Sequence, residues 1–154
     1  MQFENLDNVE CHRDTTGPEI HLQLDPNMPW SGFVGGAGTG GTMMGMWEHK
    51  EKSRFLNYRC VLVVPEEDAQ NHGIQGINDG ADFLLDRSLM DEIFEIKTED
   101  AIQRMKEFWK TNGILVGISS GANILAAERY VEKHDPEGIV VTILCDRGER
   151  YMNI

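Results

Sequence analysis

From Ser31 onward the chain alternates short apolar runs with longer segments whose apolar residues recur every three or four positions. That arrangement is expected of a parallel sheet flanked by helices. Gly32 to Gly36 reads as a buried strand, Thr42 to Lys52 as a helix, and Arg59 to Val64 as a β-branched strand halted by Pro65. Glu92 to Lys97 is the next predicted strand. Thr98 then fits the N-cap of a helix whose Ala101, Ile102, Met105, Phe108 and Trp109 share one face, and Asn112-Gly113 supplies its stop. Ile114 to Val116 reads as a short strand, Ser120 to Lys133 as a helix, and Ile139 to Leu144 as another buried strand. Residues 1–31 are polar, contain Pro18, Pro26 and Pro29, and hold no sustained period. The pattern therefore predicts an irregular lead-in over 1–31, with at most one short helix around Thr16 to Leu24. Over 32–154 it predicts an α/β domain, an open parallel sheet with helices on both faces.

Charge narrows the partners. The 154 residues carry 14 Lys and Arg against 26 Asp and Glu, a net charge of −12 with no basic stripe to offset it, which disfavours nucleic acid and anionic membrane surfaces. The apolar runs are too short to span a bilayer, and the start, Met-Gln-Phe-Glu-Asn-Leu-Asp, lacks the pattern of a secretory signal. Cys11, Cys60 and Cys145 have no Cys-x-x-Cys spacing, so neither a disulfide framework nor a zinc site is expected. A reducing, cytoplasmic setting follows as the expectation. His12, His21, His49, His72 and His134 are scattered without metal-ligand spacing, so surface or capping roles are expected for them and no metal site.

Candidate chemistry collects at three junctions. Gly35-Gly36-Ala37-Gly38-Thr39-Gly40-Gly41-Thr42 lies between a predicted strand and a predicted helix. Glycines let successive N–H groups turn around an oxyanion, the helix start adds its positive dipole end, and two threonine hydroxyls can donate. The run lacks both the Gly-Lys-Ser/Thr ending of a nucleoside-triphosphate loop and the Gly-x-Gly-x-x-Gly spacing of a dinucleotide site. It reads as a cradle for a phosphate ester, or as a tight turn with no ligand. Gly117-Ile118-Ser119-Ser120-Gly121-Ala122-Asn123 forms a second strand-to-helix junction, where a serine as plain N-cap is the simpler reading. At the third, the apolar run before Cys145 empties into the charged turn Asp146-Arg147-Gly148-Glu149-Arg150.

Together and in order these blocks resemble the cysteine synthase (O-acetylserine sulfhydrylase) and cystathionine β-synthase family, fold type II pyridoxal-phosphate enzymes. The matching residues are Gln2-Phe3-Glu4-Asn5 with Asn8, Thr15 to Ile20, Gly38 to Thr42, Ile74-Gln75-Gly76-Ile77 with Asp79-Gly80, Gly117 to Ala122, and Gly148 to Tyr151. The resemblance implies that Gly38, Thr39, Gly40, Gly41 and Thr42 hold the cofactor phosphate and that Ser119 hydrogen-bonds the pyridine nitrogen. A neutral serine there leaves that nitrogen unprotonated, which suits β-elimination and replacement on a small, serine-like amino acid. Gln2 and Gly76 would face the substrate. Asp146 would stand in the pocket wall, with Cys145 and Arg147 where the family has proline and serine.

Departures from the family pattern matter as much. Its cofactor-bonded lysine and its Thr/Ser-Gly-Asn-Thr loop, which binds the substrate carboxylate, both precede the Gln-Phe block, where this sequence begins. Lysines 50, 52, 97, 106, 110 and 133 stand outside every family motif. No catalytic residue is therefore assigned, and the chain alone is expected to be inactive. The connection from Pro65 to Ile74 is also shorter than the family's. An uncovered sheet edge is expected to drive self-association, or to be covered by a companion chain that bears the lysine. The other reading is a non-catalytic module binding a phosphorylated ligand or a peptide.

Overall fold

The computed structural model describes residues 3–77 and 82–154. Four strands form one parallel sheet in the order β3-β2-β1-β4: β1 (Trp30–Gly36), β2 (Arg59–Pro65), β3 (Glu92–Ile96) and β4 (Ile139–Thr142). Side-chain alternation sends Phe33, Cys60, Leu62 and Val64 to one face and Val34, Val61 and Val63 to the other, so the two inner strands feed two separate cores. The first core is closed by α3 (Gly41–Lys52), whose Met43, Met44 and Met46 are buried. The second is closed by α4 (Thr98–Asn112) and α5 (Ile118–His134) through Ala101, Met105, Ala122 and Ala126. The expected fold class stands. Among the described residues no helix is long and apolar enough to cross a membrane.

Several local expectations are corrected. The lead-in is helical: α1 (Asp7–Cys11) runs through a π-helical turn, His12–Thr16, into α2 (Gly17–Gln23). Pro18 lies in the first turn of α2, where its missing N–H is no loss. This run packs on α3 through contacts that apolar periodicity does not register; a side chain at Gly45 would strike His12, and one at Gly17 would strike His49. Thr98 does not cap α4. Lys97 holds the N-cap position, the Glu67 carboxylate accepts from the Thr98 N–H at 2.8 Å, and the Thr98 hydroxyl accepts from the Gly73 N–H at 2.9 Å. Gly113, at φ +69°, stops the helix as expected. Among the described residues Ile114 to Val116 finds no neighbouring strand and contributes an isolated antiparallel bridge from Val116 to Arg147. The last strand ends at Thr142 and is half-buried, because β4 is an edge strand paired only with β1.

Candidate active site

The chain moves from β1 to β2 to β3 in one direction, then crosses back to lay β4 on the far side of β1. The carboxyl ends of β1 and β4 therefore flank the point where strand order reverses, the usual place for a ligand in an open α/β sheet. Two helices begin there. α3 follows β1 through the glycine loop, and α5 opens with Ile118, Ser119 and Ser120, all buried.

The glycine loop is shaped by backbone proximity. Gly40 adopts φ +91°, and a Cβ there would stand 2.5 Å from the Leu85 nitrogen. A Cβ at Gly38 would stand 2.6 Å from the Gly76 carbonyl oxygen, so the structure brings Gly76 against the loop. The Leu84 N–H donates to the Thr39 carbonyl at 2.9 Å and closes the opposite wall. The first bond of α3 runs from the Met44 N–H to the Gly40 carbonyl at 2.9 Å, leaving the N–H groups of Gly41, Thr42 and Met43 ahead of the helical ladder. Both threonine hydroxyls are held from behind by the lead helix. Asn8 Nδ2 donates to Thr39 Oγ1 at 3.0 Å, and His12 Nε2 lies 3.1 Å from Thr42 Oγ1.

The second wall is tied to the first by Asn123, buried on α5 one turn beyond Ser119. Its Oδ1 accepts from the Gly36 N–H at 2.9 Å, while its Nδ2 donates to the Ile143 carbonyl at 3.0 Å and to Cys145 Sγ at 3.5 Å. Neither serine caps α5, whose N-cap is Gly117; the Ser120 hydroxyl instead accepts from the Cys145 N–H at 2.9 Å. Crowding around the Cys145 sulfur pushes its thiol pKa up, with the Ser119 hydroxyl drawing it back in part. Asp146 accepts from the Tyr151 hydroxyl at 2.9 Å through Oδ2, and its Oδ1 is buried beside Gly117 without a hydrogen-bond partner.

The structure thus gathers Gly38, Thr39, Gly40, Gly41, Thr42 and Gly76 at one edge and links that edge to the Ser119 turn. Gln2, Asp79 and Gly80 lie outside the described residues. Sequence reasoning missed Asn8, His12 and Asn123 as supports of the site, and His12 is corrected from a surface or capping role to a half-buried partner of Thr42. A signal existed for each. Asn8, His12 and Thr16 follow one another at helical spacing, and Asn123 is a lone amide between Ala122 and Ile124.

Among the described residues no cluster of His, Cys, Asp and Glu is suited to a metal ion. The left-handed Gly40, the N–H groups of Thr42 and Met43 ahead of the helical ladder and the two threonine hydroxyls stand on one loop, a donor set that suits a phosphate ester. A family model described as "Pyridoxal-phosphate dependent enzyme" matches residues 1–146. The chain belongs to that family. It is 40% identical over 99% of its length to cysteine synthase B of Campylobacter jejuni, covering 52% of that protein, and 36% identical to cysteine synthase B of Escherichia coli, covering 49%. Among solved structures it superposes on O-acetyl serine sulfhydrylase isoform 3 from Entamoeba histolytica with TM-score 0.85 and 37% identity, covering 99% of this chain and 47% of that one. A hydrogen sulfide-producing enzyme from Fusobacterium nucleatum gives TM-score 0.88 at 32% identity, covering 99% of this chain and 48% of that one. The chain spans about half the length of the curated relatives it matches.

Proposed function

We infer that this chain holds pyridoxal phosphate by its phosphate in the cradle of Gly38, Thr39, Gly40, Gly41 and Thr42, with the ring nitrogen at Ser119. In this reading it forms the cofactor-phosphate part of a cysteine synthase-like enzyme that replaces the β-substituent of an activated serine. The observation that carries the reading is the junction of two helix starts at the reversal point of the sheet, one bearing the glycine-threonine loop and the other Ser119, in a chain of this family.

When bound, pyridoxal phosphate supplies the electron sink that lets the α-proton and β-substituent of an amino acid depart. The residues of this chain orient and shield. N–H groups of the loop and of the first turn of α3 take the phosphate oxygens without a cation, fixing the cofactor at its far end. The Ser119 hydroxyl would hydrogen-bond the ring nitrogen without giving it a full proton. By the family resemblance, Gly76 and Gln2 would face the small amino-acid substrate. The base for the α-proton and the loop for the substrate carboxylate have no counterpart among the motifs of this chain; in this reading a lysine-bearing companion supplies both, and the chain alone binds the cofactor without turnover.

Mixing tests this reading. The chain is combined with the lysine-bearing half of a cysteine synthase, and cysteine formation from O-acetylserine and sulfide is followed, with borohydride reduction to locate any modified lysine. The reading expects turnover only in the mixture and labelling of the companion's lysine. Specific labelling of a lysine in this chain, with turnover alone, overturns it. Affinity for phosphorylated ligands that never yields turnover with any companion favours a binding module instead.

A further inference from the structure

Thr42 Oγ1 carries one hydrogen and two lone pairs, and His12 Nε2 is 3.1 Å away. The other ring nitrogen, Nδ1, is 2.8 Å from Thr16 Oγ1, one π-helical turn further along the same segment. The imidazole therefore bridges two hydroxyls, and its tautomer decides which way each one points. With the proton on Nδ1, Nε2 accepts, Thr42 spends its hydrogen on the ring, and only lone pairs face the cradle. With the proton on Nε2, that nitrogen donates to Thr42, whose own hydrogen is left free to point into the cradle. An oxyanion has no hydrogen to give, so the cradle is complete only in the second arrangement.

Thr39 gives an independent parallel. Its oxygen accepts from Asn8 Nδ2 at 3.0 Å and from the Gly41 N–H at 3.3 Å, which occupies its lone pairs and turns its hydrogen outward. Both hydroxyls of the loop are thus backed from the lead helix, one by an amide whose donor is fixed and one by a ring whose donor is not.

We propose that His12 is a positioning residue for the oxyanion cradle, standing as the Nε2-protonated tautomer with Thr16 donating to Nδ1, and so directing the Thr42 hydroxyl at the ligand. This rests on the reading of Gly38 to Thr42 as the phosphate site. Burial independently lowers the His12 pKa, which keeps the ring neutral and makes the choice of tautomer meaningful.

The test uses the whole chain with pyridoxal phosphate as the probe, followed by visible absorption, together with ¹⁵N NMR of the His12 ring. His12→Gln places an amide N–H near the position of Nε2, and His12→Leu removes the donor. Affinity is expected to fall about tenfold in His12→Leu and to stay within about threefold in His12→Gln, the scale of one hydrogen bond to a charged acceptor. Thr16→Val, which leaves the cradle itself untouched, is expected to weaken binding severalfold by freeing the other tautomer, and it serves if His12→Leu does not fold. The NMR spectrum of the bound protein should report a protonated Nε2. Equal binding by wild type and His12→Leu, equal loss in Gln and Leu, or an Nδ1-protonated ring in the bound state overturns the proposal alone. Absence of binding by the wild-type chain overturns the site reading and this proposal with it.

Discussion

Asn8 and Thr39, thirty-one residues apart in sequence, meet through a 3.0 Å hydrogen bond that joins the lead helix to the glycine loop. Gly41 makes this approach possible, since a Cβ on it would overlap the Asn8 amide. Gly41→Ala should therefore cost about 1–3 kcal/mol of stability, the usual scale of overpacking. In an Asn8→Ala background the overlap is gone, and alanine's helix preference of about 0.5–1 kcal/mol should make the same change neutral or favourable. Urea denaturation of the four proteins in the cycle gives the coupling directly. Additive effects would mean that the two residues do not act on each other.

Asn123 should tolerate neither loss nor charge. Asn123→Ala leaves the Gly36 N–H and the Ile143 carbonyl without their partner and is expected to cost about 1–3 kcal/mol. Asn123→Asp keeps an acceptor for Gly36 but buries a carboxylate that cannot donate to Ile143, so its cost should be larger at pH 8 and shrink as the pH falls and the acid protonates. A thermal melt of each variant at two pH values distinguishes these outcomes.

Glu67 supplies the cap of α4 that Thr98 does not. Glu67→Ala should lose about 1 kcal/mol, as for removal of a helix cap. Burial alone raises the pKa of this carboxyl, but bonds from the Thr98 N–H and hydroxyl outweigh it and hold the value below the usual 4.5. A depressed folded value means that the stabilisation is present above the unfolded pKa and is lost as the pH falls through the folded one. The gap between wild type and Glu67→Ala in urea midpoint should accordingly close below about pH 4.

Two histidines predict a further pH dependence at higher pH. His12 and His49 both titrate below the ordinary 6.5, chiefly because burial disfavours the charged ring, with His21 adding repulsion at His49 and Asp14 and an Arg13 backbone bond opposing it. Arg13 and Glu48 also pair across this contact, at 3.0 Å. Since the unfolded chain binds these protons more readily, stability contributed by the neutral rings is present above about pH 6.5 and is lost as the pH falls below it. The urea midpoint should drop between pH 7.5 and pH 5.5, and drop less in the His12→Gln, His49→Gln double variant. Equal drops in both proteins would assign the effect elsewhere.

Much of this architecture was legible in the chain because burial wrote it in apolar residues. β1 and β2 are runs whose alternate residues fill two cores, β3 turns Phe94 and Ile96 into one of them, and the expected bounds agree with the observed ones to within about two residues. The glycine loop was legible for a different reason, since only glycine serves at Gly40 with its positive φ against Leu85. What the pattern hid was held by polar contacts. The lead helix buries Val9 but otherwise docks through Asn8, His12 and Arg13, and it passes through a π-helical turn, so no continuous 3.6-residue apolar stripe marks it. Ile114 to Val116 was apolar enough for a strand, yet a strand needs a neighbour, and β4 pairs with β1 instead. Thr98 had the chemistry of a cap, but a carboxylate from a distant loop reached the same N–H first.

The claim on which the rest depends is that Gly38 to Thr42 receives the phosphate of pyridoxal phosphate. Its most direct test is a pyridoxal phosphate titration of the purified chain, read by visible absorption, beside Thr39→Glu and Thr42→Glu, which bring a carboxylate to the loop in place of a hydroxyl. The account predicts a saturable signal in the wild-type chain that both variants lose while keeping the wild-type far-ultraviolet circular dichroism. A wild-type signal no greater than that of the folded variants would contradict it.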